Sequence, residues 1–214
     1  MSKKSDKSSD QGQPAKPVFE PADLTRGREC FAKAQDLVEK KNYDYAIEWY
    51  INGLEHWPEA VEEGHKPCRA AALFRGPKKV SFTDGMKYKT TGKDPKQAML
   101  NAEMLLSKDP RNISYMEALF KNAAKARCDA TVMWIGEILA EAATREDKPH
   151  PARFVLMREV YEKLGDQTQE TEPPLAIAAL ERAVEALSRL QMLKQNDLEI
   201  STDLRDVAGK LTIL

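Results

Sequence analysis

The sequence has few of the residues that form metal sites and disulfide frameworks. Its 214 residues include three cysteines and three histidines. Cys30, Cys68 and Cys128 are an odd number without a CxxC pair, which indicates neither a disulfide framework nor a zinc finger. Glu62, His65 and Cys68 have a helical spacing that suits metal ligation, but no fourth ligand accompanies them. We therefore expect no metal and no other cofactor, and we interpret the cysteines as small buried residues.

The sequence also lacks a phosphate-binding loop and a nucleophile motif. Gly76, Gly85 and Gly92 are isolated, and Gly92-Lys93 has neither the earlier glycine nor the following Ser or Thr of a P-loop. None of the histidines lies in a pattern that activates a serine or a cysteine. We predict no catalytic residue and expect that the chain is not an enzyme.

Excess charge and long hydrophobic runs are absent as well. The formal net charge of -1 gives no general attraction to nucleic acid or anionic lipid, so nucleic-acid binding is disfavoured. No run of ~18 apolar residues and no apolar core of a signal peptide occurs, so we expect a cytoplasmic protein without a membrane partner. Residues 1–17 are mainly polar, and we predict a disordered tail over residues 1–22 and one domain over residues 23–214.

Paired helical patterns dominate what is present. Between Phe31 and Lys40, and again after Asn42, apolar residues recur at helical spacing with charged residues on the other face. One spacing pattern occurs twice in the sequence. It starts at an alanine and continues with a residue four positions later, a pair seven and eight positions later, and a proline twelve positions later. Its members are Ala46, Tyr50, Gly53-Leu54 and Pro58, and then Ala98, Ala102, Leu105-Leu106 and Pro110.

These spacings resemble the tetratricopeptide repeat, a helical hairpin of about 34 residues. Residues 106–134 are also similar to bacterial tetratricopeptide-repeat proteins of unassigned role. The resemblance implies an all-α protein, an α-solenoid of stacked antiparallel hairpins with about four units and a terminal helix. Such hairpins cannot bury their apolar faces alone, which predicts that neighbouring units stack.

The later units are less regular than the first. The second unit begins near Glu59, contains Pro67 inside its first helix, which should break or kink that helix, and carries an inserted loop over residues 77–94. Helical periodicity predicts a third pair over residues 113–127 and 129–145. A fourth pair has its first helix end at Gly165-Asp166, with a second insertion near residues 167–174.

Residues 198–214 form a predicted terminal helix whose last four residues are mostly apolar. We expect the stack to continue through another chain or through further sequence, and this apolar end is a candidate for self-association.

Lysine is concentrated in the first insertion, where Phe82 and Tyr88 are interleaved with it. The lysines are Lys78, Lys79, Lys87, Lys89, Lys93 and Lys96. This pattern is the basis of an alternative function, an RNA- or polyanion-associated helical-repeat protein. A solvated loop is the simpler interpretation, because Asp84 and Asp94 dilute the charge.

The resemblance also implies a concave groove lined by the first helix of each hairpin. Carrying the family's groove positions onto this chain gives a mostly basic set, Arg28, Phe31, Gln35, His65, Arg69, Lys121, Lys125 and Glu159. Phe31 and Gln35 replace two residues of the set with which chaperone-tail receptors of the family clamp a terminal carboxylate. We expect a protein-interaction scaffold or adaptor that binds a peptide or partner protein, acidic in character, in this groove.

Overall fold

The described chain is helical throughout. A computed structural model describes residues 16–195 and 197–213, and no strand occurs among them. The elements are α1 (Pro21–Glu39), α2 (Tyr43–His56), a π-helical turn (Val61–His65), α3 (Lys66–Arg75), α4 (Phe82–Lys87), α5 (Pro95–Lys108), α6 (Ile113–Ala126), α7 (Asp129–Thr144), α8 (Pro151–Thr168), α9 (Pro173–Leu193) and α10 (Leu198–Leu211). The predicted all-α class is confirmed. None of these helices is long and apolar enough to span a bilayer.

Proline and short polar residues set where the helices begin. Pro95 and Pro151 stand in the first turn of α5 and α8, where a missing N–H costs nothing. The Asp94 side chain accepts a hydrogen bond from the Gln97 N–H, and Asn112 accepts one from the Tyr115 N–H at the start of α6. The third predicted pair agrees with α6 and α7 to within one residue at each end, and the Asn112 cap explains where α6 begins.

Helices that follow each other in the chain pack against each other. The closest pairs are α1 with α2, α5 with α6, α6 with α7, α8 with α9, and α9 with α10. Their buried side chains form one continuous core from Phe31 to Val207. Gly53 permits the α1–α2 crossing, because a Cβ there would overlap the ring of Phe31.

Pro67 interrupts its helix as predicted, and the chain accommodates it with a π-helical turn. Proline lacks the N–H that would continue the α-helical ladder, and before it the Lys66 N–H bonds to the Val61 carbonyl five residues back. The His65 N–H likewise bonds to the Ala60 carbonyl at 3.0 Å. The extra residue in this turn directs the side chain of His65 into the core.

Gly165 does not end α8, which corrects the predicted boundary. The helix continues to Thr168, and residues 169–172 alone connect it to α9, so the expected insertion is shorter than predicted. A Cβ at Gly165 would lie 2.7 Å from Leu180 Cγ. Glycine is therefore needed at this position so that α8 and α9 can approach each other closely. This need explains why a glycine occurs inside a helix, where it otherwise lowers stability.

The segment over residues 77–94 contains a short helix and is tied to its surroundings. Ser81 and Asp84 form a capping box on α4, and Lys108 pairs with Asp84 at 2.5 Å. The amides of Asn101 and Asn122 donate to backbone carbonyls of the segment at 2.8 and 2.9 Å. The segment predicted as a loop is thus an ordered element that covers α5.

Residues 1–15 of the predicted tail lie outside the described residues. Residues 16–20 have no regular secondary structure, and α1 begins at Pro21, inside the predicted tail. The Lys16 ammonium lies 2.5 Å from Glu172 and 3.5 Å from Asp129, so this stretch is joined to the starts of α9 and α7.

Candidate protein-interaction groove

A groove between α6 and α8 brings together three of the residues predicted to bind a partner. Lys121 and Lys125 lie on α6, and Glu159 lies on α8. All three side chains are exposed. We call this depression, which encloses about 230 Å³, the α6–α8 groove. It is lined by Lys121, Ala124, Lys125, Asp129, Val132, Leu156, Glu159, Val160, Lys163, Leu164 and Gln167.

Helical spacing explains how the groove forms. The lining residues of α6 are spaced by three and four positions, and those of α8 continue the same spacing over three turns. Each helix therefore presents one stripe to the groove, with Leu156 and Val160 as the apolar part on α8. The result is an apolar floor with charged side chains at its edges.

The rim of this groove is predominantly basic. Lys121, Lys125 and Lys163 surround it, and Glu159 is the exposed acidic side chain among the lining residues. Asp129 also lines the groove, but its side chain is buried and lies 3.6 Å from Arg127 and 3.5 Å from Lys16. Because Asp129 is shielded by these cations, the potential at the rim favours a negatively charged partner.

His65 does not line a groove, which corrects its assignment to the binding surface. Its side chain is 0% exposed, and its ring stacks on Trp134 at a centroid distance of 4.9 Å. Nδ1 lies 3.2 Å from the Glu103 carboxylate, and Nε2 lies 2.9 Å from the Pro58 carbonyl oxygen. Thr131 donates its hydroxyl to the same carbonyl at 2.7 Å. His65 therefore joins the π-helical turn to α5 and α7 inside the core.

Phe31 is also buried rather than exposed to a partner. Its ring fills the space left by Gly53 and Gly64 and lies beside the rings of Tyr50 and Trp57. Periodicity identified one apolar stripe on α1 but did not show that α2 and the π-helical turn cover it from both sides. The side chain stabilises the first hairpin and is inaccessible to a peptide.

The remaining predicted residues lie apart from the α6–α8 groove. Arg69 donates to the Pro110 carbonyl at 3.0 Å, and burial lowers the pKa of its guanidinium, so it joins α3 to the turn after α5. The Arg28 guanidinium lies 5.2 Å from the centroid of the Trp57 ring. Gln35 is exposed on α1. The structure thus divides the predicted set, with Lys121, Lys125 and Glu159 together and the others elsewhere.

A second groove, between α7 and α9, was not predicted. It encloses about 640 Å³, and Tyr161 of α8 lies in its lining together with Glu137 and Arg182. The Tyr161 side chain is 2% exposed, and its hydroxyl has no hydrogen-bond partner among the described residues. Burial raises the pKa of this phenol, which keeps its proton. The sequence signal was present in the spacing of Phe154, Met157 and Tyr161, but it could not show that α7 and α9 leave a space above them.

The lysines of the segment over residues 77–94 are partly engaged within the chain. Lys78 pairs with Asp44 at 2.6 Å, and the Lys87 ammonium lies 4.9 Å from the centroid of the Tyr88 ring. Lys96 donates to the Glu55 carbonyl. These contacts reduce the number of cations that could face a polyanion together.

No protein-family model, curated protein or solved structure matches this chain. The case for a function therefore depends on the geometry of the chain itself.

Proposed function

We propose that the chain is a protein-interaction module that binds a partner segment in the α6–α8 groove. The observation that carries the proposal is the convergence of three lysines around an apolar floor between two neighbouring helices. A peptide segment with acidic and apolar residues would bury the floor and pair with the rim. The role is one of binding and scaffolding rather than catalysis.

The proposal includes a tetratricopeptide-like order of the helices. In that order the hairpins are α1 with α2, α3 with α5, α6 with α7, and α8 with α9, and α10 closes the series. The close packing of α1 with α2, of α6 with α7 and of α8 with α9 supports it, as does the agreement of α6 and α7 with the predicted third unit, whereas α3 packs more closely against α2 than against α5. The first helices of successive hairpins then share one face, and α6 and α8 are two of these.

A polyanion-binding role for the segment over residues 77–94 has less support. Lys78 pairs with Asp44, and the Lys87 and Lys108 ammonium groups lie near the Tyr88 ring. Lys96, which follows the segment, donates to the Glu55 carbonyl. An aromatic ring that stacks on bases needs a free face.

A peptide-display selection against the whole chain would test the proposed function. Selected peptides should be rich in Asp and Glu beside apolar residues. The variant K121E/K125E should bind them at least about tenfold more weakly, which corresponds to a loss of roughly 1.4 kcal/mol in binding free energy. The variant K148E/K194E is the matched control, since both lysines are exposed and lie outside the groove. Circular dichroism should show equal helix content in both variants. Equal binding of the selected peptides by K121E/K125E and the parent would refute the proposal.

A further inference from the structure

The short helix α4 displays two large apolar side chains that nothing in the described chain covers. Phe82 is 84% exposed and Met86 is 61% exposed. They stand four residues apart in α4, so they lie on the same face of the helix. Single exposed apolar side chains are ordinary on a protein surface, but two that adjoin on one face of an ordered element form a candidate contact surface.

The structure holds this pair in a fixed position. The Ser81–Asp84 capping box, the Asp84–Lys108 ion pair and the bond from the Lys78 N–H to the Lys108 carbonyl attach the N-terminal part of α4 to α5. The carbonyls of Lys89 and Thr90 accept hydrogen bonds from α5 and α6. A segment whose lysines serve solubility alone needs no such attachment, whereas a binding element gains from being ordered in advance.

Positive charge surrounds the pair although the whole chain carries none in excess. Residues 77–93 contain five lysines and a single acidic residue, Asp84, which is paired with Lys108. Lys79, Lys89 and Lys93 are exposed and have no ion pair among the described residues. The near-neutral total charge therefore hides a local basic, apolar surface, formed by α4 and its flanking lysines, which we call the α4 surface.

We propose that the α4 surface binds the anionic headgroup region of a lipid bilayer, with Phe82 and Met86 inserted between the headgroups. The negative charge of an anionic bilayer is spread over its surface. Several lysines can therefore be attracted to it without being arranged around a single ligand. The interfacial region accepts protruding apolar side chains without a prepared pocket.

The chemistry of the surface distinguishes lipid from other acidic partners. An RNA partner would stack successive bases on several aromatic rings, whereas Phe82 is a single free ring here, since Met86 is not aromatic and lysines lie near the Tyr88 ring. A protein partner is less favoured because two apolar side chains on a six-residue helix form a small apolar centre for an interface that typically buries about 800 Å² on each partner.

Sedimentation of the full chain with vesicles tests the proposal. The chain should bind vesicles of phosphatidylcholine containing about 30% phosphatidylserine at least about tenfold more strongly than vesicles of phosphatidylcholine alone. Binding should weaken as the salt concentration rises above roughly 0.15 M. Equal binding to both kinds of vesicle, or none to either, would overturn the proposal.

Two variants locate the binding. F82S/M86S and K79E/K89E should each lower binding to the anionic vesicles at least about tenfold. Y45S and K148E/K194E are the matched controls, because they alter exposed apolar and basic residues elsewhere, and both should bind like the parent. Thermal melting should be unchanged in all four. Vesicle binding that survives F82S/M86S would overturn the proposal, as would tighter binding of single-stranded RNA or of an acidic peptide that F82S/M86S abolishes.

Discussion

His65 and Tyr161 are both buried aromatic side chains between helices, and they differ in whether their polar atoms have partners. The ring nitrogens of His65 face Glu103 on one side and the Pro58 carbonyl on the other. The Tyr161 hydroxyl has no partner among the described residues. The first is part of a satisfied polar network, and the second is a buried group that the described chain leaves unpaired.

The difference shows two ways in which neighbouring elements are held against α7. Around His65, hydrogen bonds connect the π-helical turn with α5 and α7, and the stacked Trp134 closes the site. Around Tyr161, the contact between α7 and α8 depends on shape, since the hydroxyl fits against Gly136 and the ring lies edge-on to Phe120. A polar network fixes one arrangement of helices, whereas packing without it leaves a groove beside the contact.

The largest effect is expected from removing the His65 ring. His65→Ala should lower the free energy of unfolding by about 3–5 kcal/mol, because it leaves a buried carboxylate on Glu103 without its partner. Urea unfolding measures this, with His150→Ala at an exposed histidine as the control. His65→Leu combined with Glu103→Leu should recover part of the loss, since neither polar group is then left alone. A loss below about 1 kcal/mol in His65→Ala would show that water reaches Glu103.

A smaller effect is expected where shape alone maintains the contact. A Cβ at Gly136 would overlap the Tyr161 hydroxyl and lie 2.7 Å from the Phe120 ring. Gly136→Ala should therefore destabilise the chain by about 1–3 kcal/mol. Gly209→Ala is the matched control, because that helical glycine has open space around it and alanine should stabilise α10 by about 0.5–1 kcal/mol. If Gly136→Ala melts at the same temperature as the parent, α7 and α8 are farther apart than this contact requires.

The positions of most helices could be predicted from the sequence, because helix spacing, proline and capping residues act locally, whereas a solenoid arrangement of these helices stays a prediction. The third pair of helices and the break at Pro67 followed from such signals. Gly165 was misread because the same residue serves as a helix end and as a site of close approach, and only the position of Leu180 distinguishes the two.

The candidate site was predictable in part. Lys121, Lys125 and Glu159 lie on surfaces that periodicity identifies as outward. Phe31 and His65 have equally regular spacing, but their burial depends on residues distant in sequence, such as Glu103 and Thr131. Local spacing determines which residues share a helix face, whereas the elements that cover that face come from distant parts of the sequence.

The smallest effects on stability are expected from deleting the Tyr161 and Thr131 hydroxyls, one at each of the two compared sites. Tyr161→Phe deletes a buried hydroxyl that has no partner, so it should leave stability unchanged or raise it by up to about 1 kcal/mol. Thr131→Val deletes a hydroxyl that donates to the Pro58 carbonyl at 2.7 Å, and it should cost about 1–2 kcal/mol. Both changes remove one oxygen from a buried side chain, so opposite signs in urea unfolding would isolate the effect of the hydrogen bond. A loss above about 1 kcal/mol in Tyr161→Phe would mean that a water molecule in the α7–α9 groove pairs with the hydroxyl, because deleting an unpaired group cannot cost that much.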